Sequence, residues 1–248
     1  MTKMLRLDLN CDLGEGAGHD AALMPLITSA NIACGAHAGD AATMRTTVAL
    51  AQRHGVGIGA HPGFADRENF GRRELALPPA EVRALVAAQI EALRAFGPLR
   101  HVKAHGALYN LAARDSTVAS AVADAVCGID PALILFVLPN SALAHAACAC
   151  GLCVANEVFA DRTYQRDGSL TPRARPDALI HDAGVAVSQV LRMVHDGVVR
   201  ATDGTDVPIT ADTVCLHGDG PDPVAFARRL RAELGAAGIE VKAFDVLR

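Results

Sequence analysis

The chain has 248 residues, of which 51% are hydrophobic and 20% charged, and its formal net charge is −4 at pH 7. This composition favours a folded core over disorder. A small negative charge and the lack of tryptophan give no basis for nucleic-acid binding. No apolar run reaches the roughly 18 residues that a membrane-spanning helix needs, and residues 1–12 indicate a strand rather than a signal peptide. The seven cysteines are expected to be reduced, which predicts a cytoplasmic protein.

Apolar, strand-like runs alternate with helical patterns along the whole chain. The predicted strands cover residues 5–9, 30–34, 56–60, 99–103, 133–138, 152–158, 213–216 and 239–244. The predicted helices cover 41–54, 79–96, 115–127, 141–150, 177–196 and 223–234. The repeat of roughly 30 residues predicts an α/β fold, a βα barrel, with a flat doubly wound sheet as the alternative. No linker interrupts the pattern, so residues 1–248 are interpreted as a single domain.

Four histidines stand directly after predicted strands, each beside glycine or Pro-Gly: His37, His61, His105 and His217. In a βα barrel the carboxyl ends of the parallel strands surround one shared cleft. The four imidazoles are therefore expected to converge there.

Asp12 and Glu15 follow the first strand and are expected to point into the same cleft, although Glu15 would equally suit a solvated position. Asp12 with His37 and His61 would form a set of ligands suited to zinc or a similar divalent ion. The same three groups suit proton transfer without a metal. The sequence leaves both interpretations open.

Further polar residues follow the later strands. Lys103 would clamp an anion if its ammonium lies in the cleft. Asn110 suits a cap or a substrate contact, and Asp161 with Arg162 suits either a salt bridge or a site. After the strand at 213–216, the segment His217-Gly-Asp219-Gly offers backbone N–H groups to an anion, while His217 and Asp219 are also candidate catalytic groups.

These motifs resemble those of one family, the LamB/YcsF lactam-utilisation proteins. The matching segments are residues 8–15 (Asp-Leu-Asn-Cys-Asp-Leu-Gly-Glu), 29–40, 57–64, 70–73, 105–110, 157–162 and 217–219. They are long and span nearly the whole chain. One departure is Ala104, where the family pattern has proline.

The resemblance implies a βα barrel of seven strands that is related to sugar deacetylases. It also implies the A subunit of a 5-oxoprolinase, in which ATP drives the opening of 5-oxo-L-proline to L-glutamate together with two partner subunits. ATP would be handled through the partners, since no nucleotide-binding motif stands in this sequence. A bound divalent metal and a homo-oligomer both stay open, and neither nucleic acid nor membrane is an expected partner.

The resemblance assigns roles as two sets. The expected catalytic residues are Asp12, His37, His61, Lys103, His105, Asp161 and His217. The expected substrate-binding residues are Asn10, Glu15, Asn31, Arg72, Asn110, Arg162 and Asp219. The alternatives are a stand-alone metal-dependent deacetylase or amidohydrolase, and a non-catalytic binding subunit.

Overall fold

A computed structural model describes residues 5–217 and 222–245 of the chain, and in this part seven parallel strands close into a barrel. The barrel strands are β1 (Leu5–Leu13), β2 (Ser29–Ala33), β3 (Gly57–His61), β4 (His101–Lys103), β5 (Ile134–Val137), β6 (Cys153–Phe159) and β9 (Thr213–Leu216). The ring closes because β1 pairs with β2 on one side and with β9 on the other. The prediction of a seven-stranded βα barrel is confirmed.

Three short strands lie outside the ring. β7 (Val198–Arg200) and β8 (Asp206–Pro208) form an antiparallel pair. β10 (Ile239–Val241) adds in parallel to the first residues of β1.

The helices surround the ring and cover its outer face. They are α1 (Asp20–Leu23), α2 (Ala41–His54), α3 (Pro79–Arg94), α4 (Gly106–Arg114), α5 (Ser116–Ile129), α6 (Ala142–Ala149), α7 (Ala183–His195) and α8 (Pro223–Ala236). The main apolar core fills the space between helices and strands. No helix in the described ranges is long and apolar enough to cross a membrane.

The strand β1 shows how the sequence separates the two faces of the barrel wall. Successive side chains of a strand point to opposite faces, and the odd-numbered residues from Leu7 to Leu13 belong to the outer core. The even-numbered residues Asp8, Asn10 and Asp12 are buried and bond to polar groups of other strands. The inner face of β1 is therefore polar, whereas aliphatic side chains fill the interior of many βα barrels.

An apolar plug closes the opposite, N-terminal end. Ile134, Phe136 and Ala155 form a small separate cluster against which Phe244 packs. The ring of His101 stacks on Phe136 with 4.2 Å between centroids. The polar groups that line the cavity therefore lie at the carboxyl ends of the strands, whereas Asp8 and His101 are buried polar groups nearer the opposite end.

Two predicted boundaries were wrong, and one helix was missed. β1 continues to Leu13 because Cys11 and Leu13 pair with β2, so Asp12 lies within the strand rather than after it. The helix predicted over 177–196 begins only at Ala183, where Asp182 accepts a hydrogen bond from the Val185 N–H and caps it. The short helix α4, directly after β4, was not predicted.

Candidate active site

A cavity of about 700 Å³ opens at the carboxyl ends of the barrel strands. Six residues of its floor come from strands β1, β3, β4 and β9 or the turns that follow them: Asp12, Glu15, His61, Lys103, His105 and His217. The structure therefore brings together the histidines and acids that the sequence placed after different strands. His37 lies directly behind this floor, in contact with Glu15 and His105.

His61 and His105 face each other through one nitrogen each. The Nδ1–H of His61 donates to the carbonyl of Lys103 at 2.8 Å, and the Nε2–H of His105 donates to the carbonyl of Phe70 at 2.8 Å. The remaining nitrogens, His61 Nε2 and His105 Nδ1, lie 3.0 Å apart. Burial holds the pKa of His105 well below the ordinary value of 6.5.

Glu15 joins this pair of rings to His37. Its Oε1 atom is 3.4 Å from His105 Nδ1, 3.8 Å from His61 Nε2 and 3.3 Å from His37 Nε2. The His37 ring stacks on that of His105 at 3.8 Å, and burial lowers the pKa of His37.

Glycine backbones make this close packing possible. A Cβ atom at Gly63 would lie 2.8 Å from His37 Nδ1, and one at Gly71 would lie 2.8 Å from the His37 Cβ. Gly71 also has a φ of +63°, a region that favours glycine.

Lys103 places a buried ammonium beneath the histidines. Its Nζ lies 2.7 Å from Asp12 Oδ1 and 3.0 Å from Glu157 Oε1. Burial lowers the pKa of Lys103, but the charges of Asp12 and Glu157 outweigh burial and hold the pKa well above 10.5. Burial likewise raises the pKa of Asp12, and the charges of His61 and Lys103 outweigh it, so that the pKa of Asp12 lies well below 3.8.

Asn10 and Asn31, both predicted to bind substrate, lie deeper in the barrel, beneath the cavity. Asn31 donates to Asn10 Oδ1 at 2.7 Å and to Asp12 Oδ1 at 2.8 Å. The side-chain Oδ1 atom of Asn31 lies 2.8 Å from His101 Nε2. Burial lowers the pKa of His101 to about 3, so this neutral ring donates to Asn31 and fixes the amide that holds Asp12.

His217 and Asp161 form a second pair on the far side of the floor. His217 Nδ1 lies 2.7 Å from Asp161 Oδ2. Burial lowers the pKa of His217, but the Asp161 carboxylate more than offsets this and raises it above 6.5. Burial raises the pKa of Asp161, but the positive charge of His217 outweighs burial and brings the pKa below 3.8.

The remaining predicted residues lie at the walls and rim of the cavity. Arg72 and Asn110 are exposed lining residues, and Arg72 also covers the ring of Phe70. Arg162 is 5% exposed and donates to the carbonyls of Thr171 and Ala178. It does not pair with Asp161, which bonds to His217 instead. Asp219 lies outside the described residues.

Two buried residues of the site were not among those predicted. Glu157 is the second carboxylate of Lys103, whereas the sequence suggested an acid–arginine pair in this segment. Tyr109 lines the cavity from α4, where burial, followed by the charge of Glu157, raises its pKa well above 10. Its position four residues after His105, one helical turn on, was the signal available in the sequence.

Among the residues that the structure describes, two groups of side chains are spaced closely enough to be considered for a metal. Glu15, His37, His61 and His105 offer ligand atoms within 4.8 Å of one another, and so do Asp12, Cys215 and His217. The second group does not fit a cation, because the Lys103 ammonium lies 3.0 Å from Cys215 Sγ and already pairs with Asp12. The predicted set of Asp12, His37 and His61 meets the same obstacle at Asp12.

The fold and this cleft define a βα-barrel protein with a buried cluster of acids and bases at the carboxyl ends of its strands. Residues 7–248 match the LamB/YcsF family, and the chain belongs to that family. The prediction from the sequence motifs is thereby confirmed.

Similar proteins carry names that refer to lactams. The chain is 55% identical, over 97% of its own length and 97% of the relative's, to the 5-oxoprolinase A subunit of Geobacillus kaustophilus. It is 48% identical to the lactam utilization protein of Thermus thermophilus, whose crystal structure superposes with a TM-score of 0.90 over 97% of this chain and 100% of that one. A deacetylase solved with substrate superposes with a TM-score of 0.51 at 13% identity, over 96% of this chain and 87% of that one, which confirms the expected likeness of fold to deacetylases.

Proposed function

We propose that this chain is the A subunit of a multi-subunit 5-oxoprolinase, which opens 5-oxo-L-proline to L-glutamate with ATP and two partner subunits. The observation that carries the proposal is the cavity, whose floor holds opposed acid and base groups and whose rim carries arginines. The names of the relatives at 51–56% identity support the same assignment. A cytoplasmic location stays a prediction.

The reaction sets definite requirements on the site. A water oxygen bonds to the lactam carbonyl carbon, the ring C–N bond breaks, and the nitrogen gains a proton while the water loses one. A five-membered lactam is a stable amide, so the proposed route first transfers a phosphoryl group from ATP to the lactam oxygen, with ADP as the leaving group. Water addition and C–N cleavage then give an acyl phosphate, and a second water molecule hydrolyses it to glutamate and inorganic phosphate. The partners would supply the ATP site, because this sequence has none of the phosphate-binding motifs.

The described residues suggest which group serves each requirement. His61 and His105, with Asp12 3.3 Å from His61 Nε2, are placed to accept the proton of the attacking water. His217, charged by its Asp161 partner, is placed to donate a proton to the leaving nitrogen. Arg162 and Arg72 suit the carboxylate of 5-oxoproline.

A divalent metal, if bound, would be held by groups from the set Glu15, His37, His61 and His105. It would supply a Lewis acid that polarises a carbonyl oxygen or lowers the pKa of a water molecule. His61 and His105 would then hold the metal through the nitrogens that otherwise accept the proton, which leaves Asp12 as the nearby group to accept it.

The test is glutamate release from 5-oxoproline and ATP, measured with the chain alone and with its candidate partner subunits. We expect turnover only in the complete mixture, and a loss of about 10²–10⁴-fold with His61→Asn, because a positioned acid or base contributes that much. His145→Ala, on the exposed face of α6, is the control that should keep full activity.

Two other outcomes would assign the chain differently. Hydrolysis of amides or acetylated amines by the chain alone, without ATP, would make it a stand-alone amidohydrolase or deacetylase. Full turnover of the complex with His61→Asn would make it a non-catalytic subunit.

A further inference from the structure

We propose that Glu15, His61 and His105 form a binding site for one divalent cation of the zinc type, with His37 as a positioning residue. The proposal concerns binding alone, so it is tested without substrate and does not depend on the proposed function.

The first argument is the direction of the hydrogen bonds. His61 and His105 each donate their N–H to a backbone carbonyl. The other two ring nitrogens, His61 Nε2 and His105 Nδ1, lie 3.0 Å apart, and both are acceptors when the rings are neutral. The Oε1 atom of Glu15 is a third acceptor close to both nitrogens. Asp12 Oδ2 also lies 3.3 Å from His61 Nε2, but its carboxylate already pairs with the Lys103 ammonium. A single proton between these groups would let one of them donate to one other and would leave the third acceptor without a donor. One cation, in contrast, can bind all three acceptors at once.

The second argument is distance. Ligands about 2.0–2.1 Å from a tetrahedral zinc ion are separated from one another by roughly 3.3 Å. The three separations here are 3.0, 3.4 and 3.8 Å, which bracket that value. Two histidines and one glutamate are a ligand set of catalytic zinc sites, which keep the fourth position open. All three residues line the cavity, so an ion held between them would be accessible from it.

The third argument is the support around the three ligands. Metal-bound histidines usually donate their second N–H to a carbonyl or carboxylate, and both His61 and His105 do so at 2.8 Å. His37 Nε2 lies 3.3 Å from Glu15 Oε1 and so orients that carboxylate. Its ring is stacked flat against His105, a geometry that suits a supporting residue better than a fourth ligand of the same ion.

The experiment begins with metal-free full-length protein, prepared by chelation, into which Zn²⁺ or Co²⁺ is titrated by calorimetry and absorption spectroscopy. We expect one ion per chain and a rise in melting temperature. Glu15→Ala, His61→Ala and His105→Ala should each weaken binding by more than about 100-fold, and His37→Asn by about 10–100-fold, the usual effect of a residue that supports a ligand.

Two matched controls address other sources of binding. His145→Ala removes an exposed histidine and Cys148→Ser an exposed thiol, and both should leave affinity and stoichiometry unchanged. Wild-type Co²⁺ spectra should show nitrogen and oxygen ligation without a thiolate charge-transfer band.

The proposal fails if the wild type shows no saturable binding of Zn²⁺ or Co²⁺, or if the Co²⁺ spectrum reports cysteine ligands. It also fails if folded His61→Ala and His105→Ala bind as tightly as wild type. Circular dichroism establishes whether the variants fold, and a wild type that binds no ion overturns the proposal even if they do not.

Discussion

Lys103 is the residue on which the charge balance of the barrel interior depends. Its ammonium lies between the carboxylates of Asp12 and Glu157, and all three side chains are nearly inaccessible to water. Removing one partner of a buried ion pair leaves the other charge uncompensated, which costs about 3–5 kcal/mol. Lys103→Met should therefore lower the free energy of unfolding by about that amount, as measured by urea denaturation.

Two comparisons make the Lys103 experiment specific. Lys242→Met changes an exposed lysine and should leave stability nearly unchanged. The double variant Lys103→Met/Glu157→Gln also removes one of the two carboxylate charges that would lack a partner. It should therefore regain part of the lost free energy of unfolding. A loss below about 1 kcal/mol in the single variant would contradict this description of the interior.

His217 and Asp161 should make stability depend on pH. The pKa of His217 is raised in the folded state, so its pairing stabilises the fold fully below the unfolded value of 6.5 and the benefit fades as pH rises through the folded value. The pKa of Asp161 is lowered in the folded state, so the stabilisation that comes from its ionised form is lost only at pH values below the ordinary 3.8. In Asp161→Asn the carboxylate is gone, so burial and the charge of Arg173 lower the pKa of His217 and are opposed by the charge of Asp12, whose effect is smaller than that of burial.

The difference in melting temperature between wild type and Asp161→Asn should therefore be largest between about pH 5 and 6.5 and should shrink at higher pH. Thermal melts across this range provide the measurement, with His195→Gln on an exposed helical position as control. A difference that stays constant from pH 5 to well above 7 would show that the pair does not titrate as described.

At the scale of elements, strands β3 and β4 fit together only because one position has no side chain. A Cβ atom at Gly59 would overlap the imidazole ring of His101 inside the barrel. Gly59→Ala must therefore displace His101, and with it the bond to Asn31 that supports Asp12. We expect a loss of at least about 1–3 kcal/mol of stability, the usual cost of overpacking, together with reduced turnover of the complex.

The neighbouring glycine of the same strand is the matched control. A Cβ atom at Gly57 would meet the Cδ of Arg100 at 3.2 Å, and that long side chain can move. Gly57→Ala should thus be milder than Gly59→Ala, and the pair Gly59→Ala/His101→Ser should recover stability. Equal effects of the two alanine substitutions in denaturation experiments would argue against a specific clash with His101.

Periodicity predicted the elements where each had a clear pattern of its own. The alternation of strand and helix and the glycine-flanked histidines were enough to place His61, His105 and His217 at one end of a barrel. The end of β1 was missed because Asn10 and Asp12 are polar residues that face inward, where a sequence pattern suggests a loop. The helix α4 was missed because it is only nine residues long and only two residues separate it from β4.

Side-chain partners were harder to predict than positions. Glu157 pairs with Lys103, and Asp161 pairs with His217, 56 positions further along the sequence, rather than with the adjacent Arg162. These choices depend on the register of neighbouring strands and on which residues point inward. Local sequence does not contain that information when the partners are so far apart.

At the scale of the whole molecule, the barrel separates a chemical end from a stabilising end. Polar groups gather at the carboxyl ends of the strands, while Phe244 and the cluster of Ile134, Phe136 and Ala155 close the opposite end. In βα barrels the first end generally serves activity and the second stability. The two functions should therefore respond to different substitutions.

Phe244→Ala tests this separation. Phe244 is half-buried, its ring packs on the plug, and its carbonyl accepts a hydrogen bond of 2.7 Å from Arg100. Removing the ring should lower the free energy of unfolding by about 1–3 kcal/mol, less than a fully buried phenylalanine costs, and leave kcat/KM of the complex within a few-fold of wild type.

Arg72→Gln, an exposed change at the rim of the cavity, should do the reverse: stability within about 0.5 kcal/mol of wild type and a raised KM for 5-oxoproline. Urea denaturation and steady-state kinetics on the same preparations compare the two variants, and a large fall in kcat/KM with Phe244→Ala at a temperature where it is fully folded would show that the two ends are coupled.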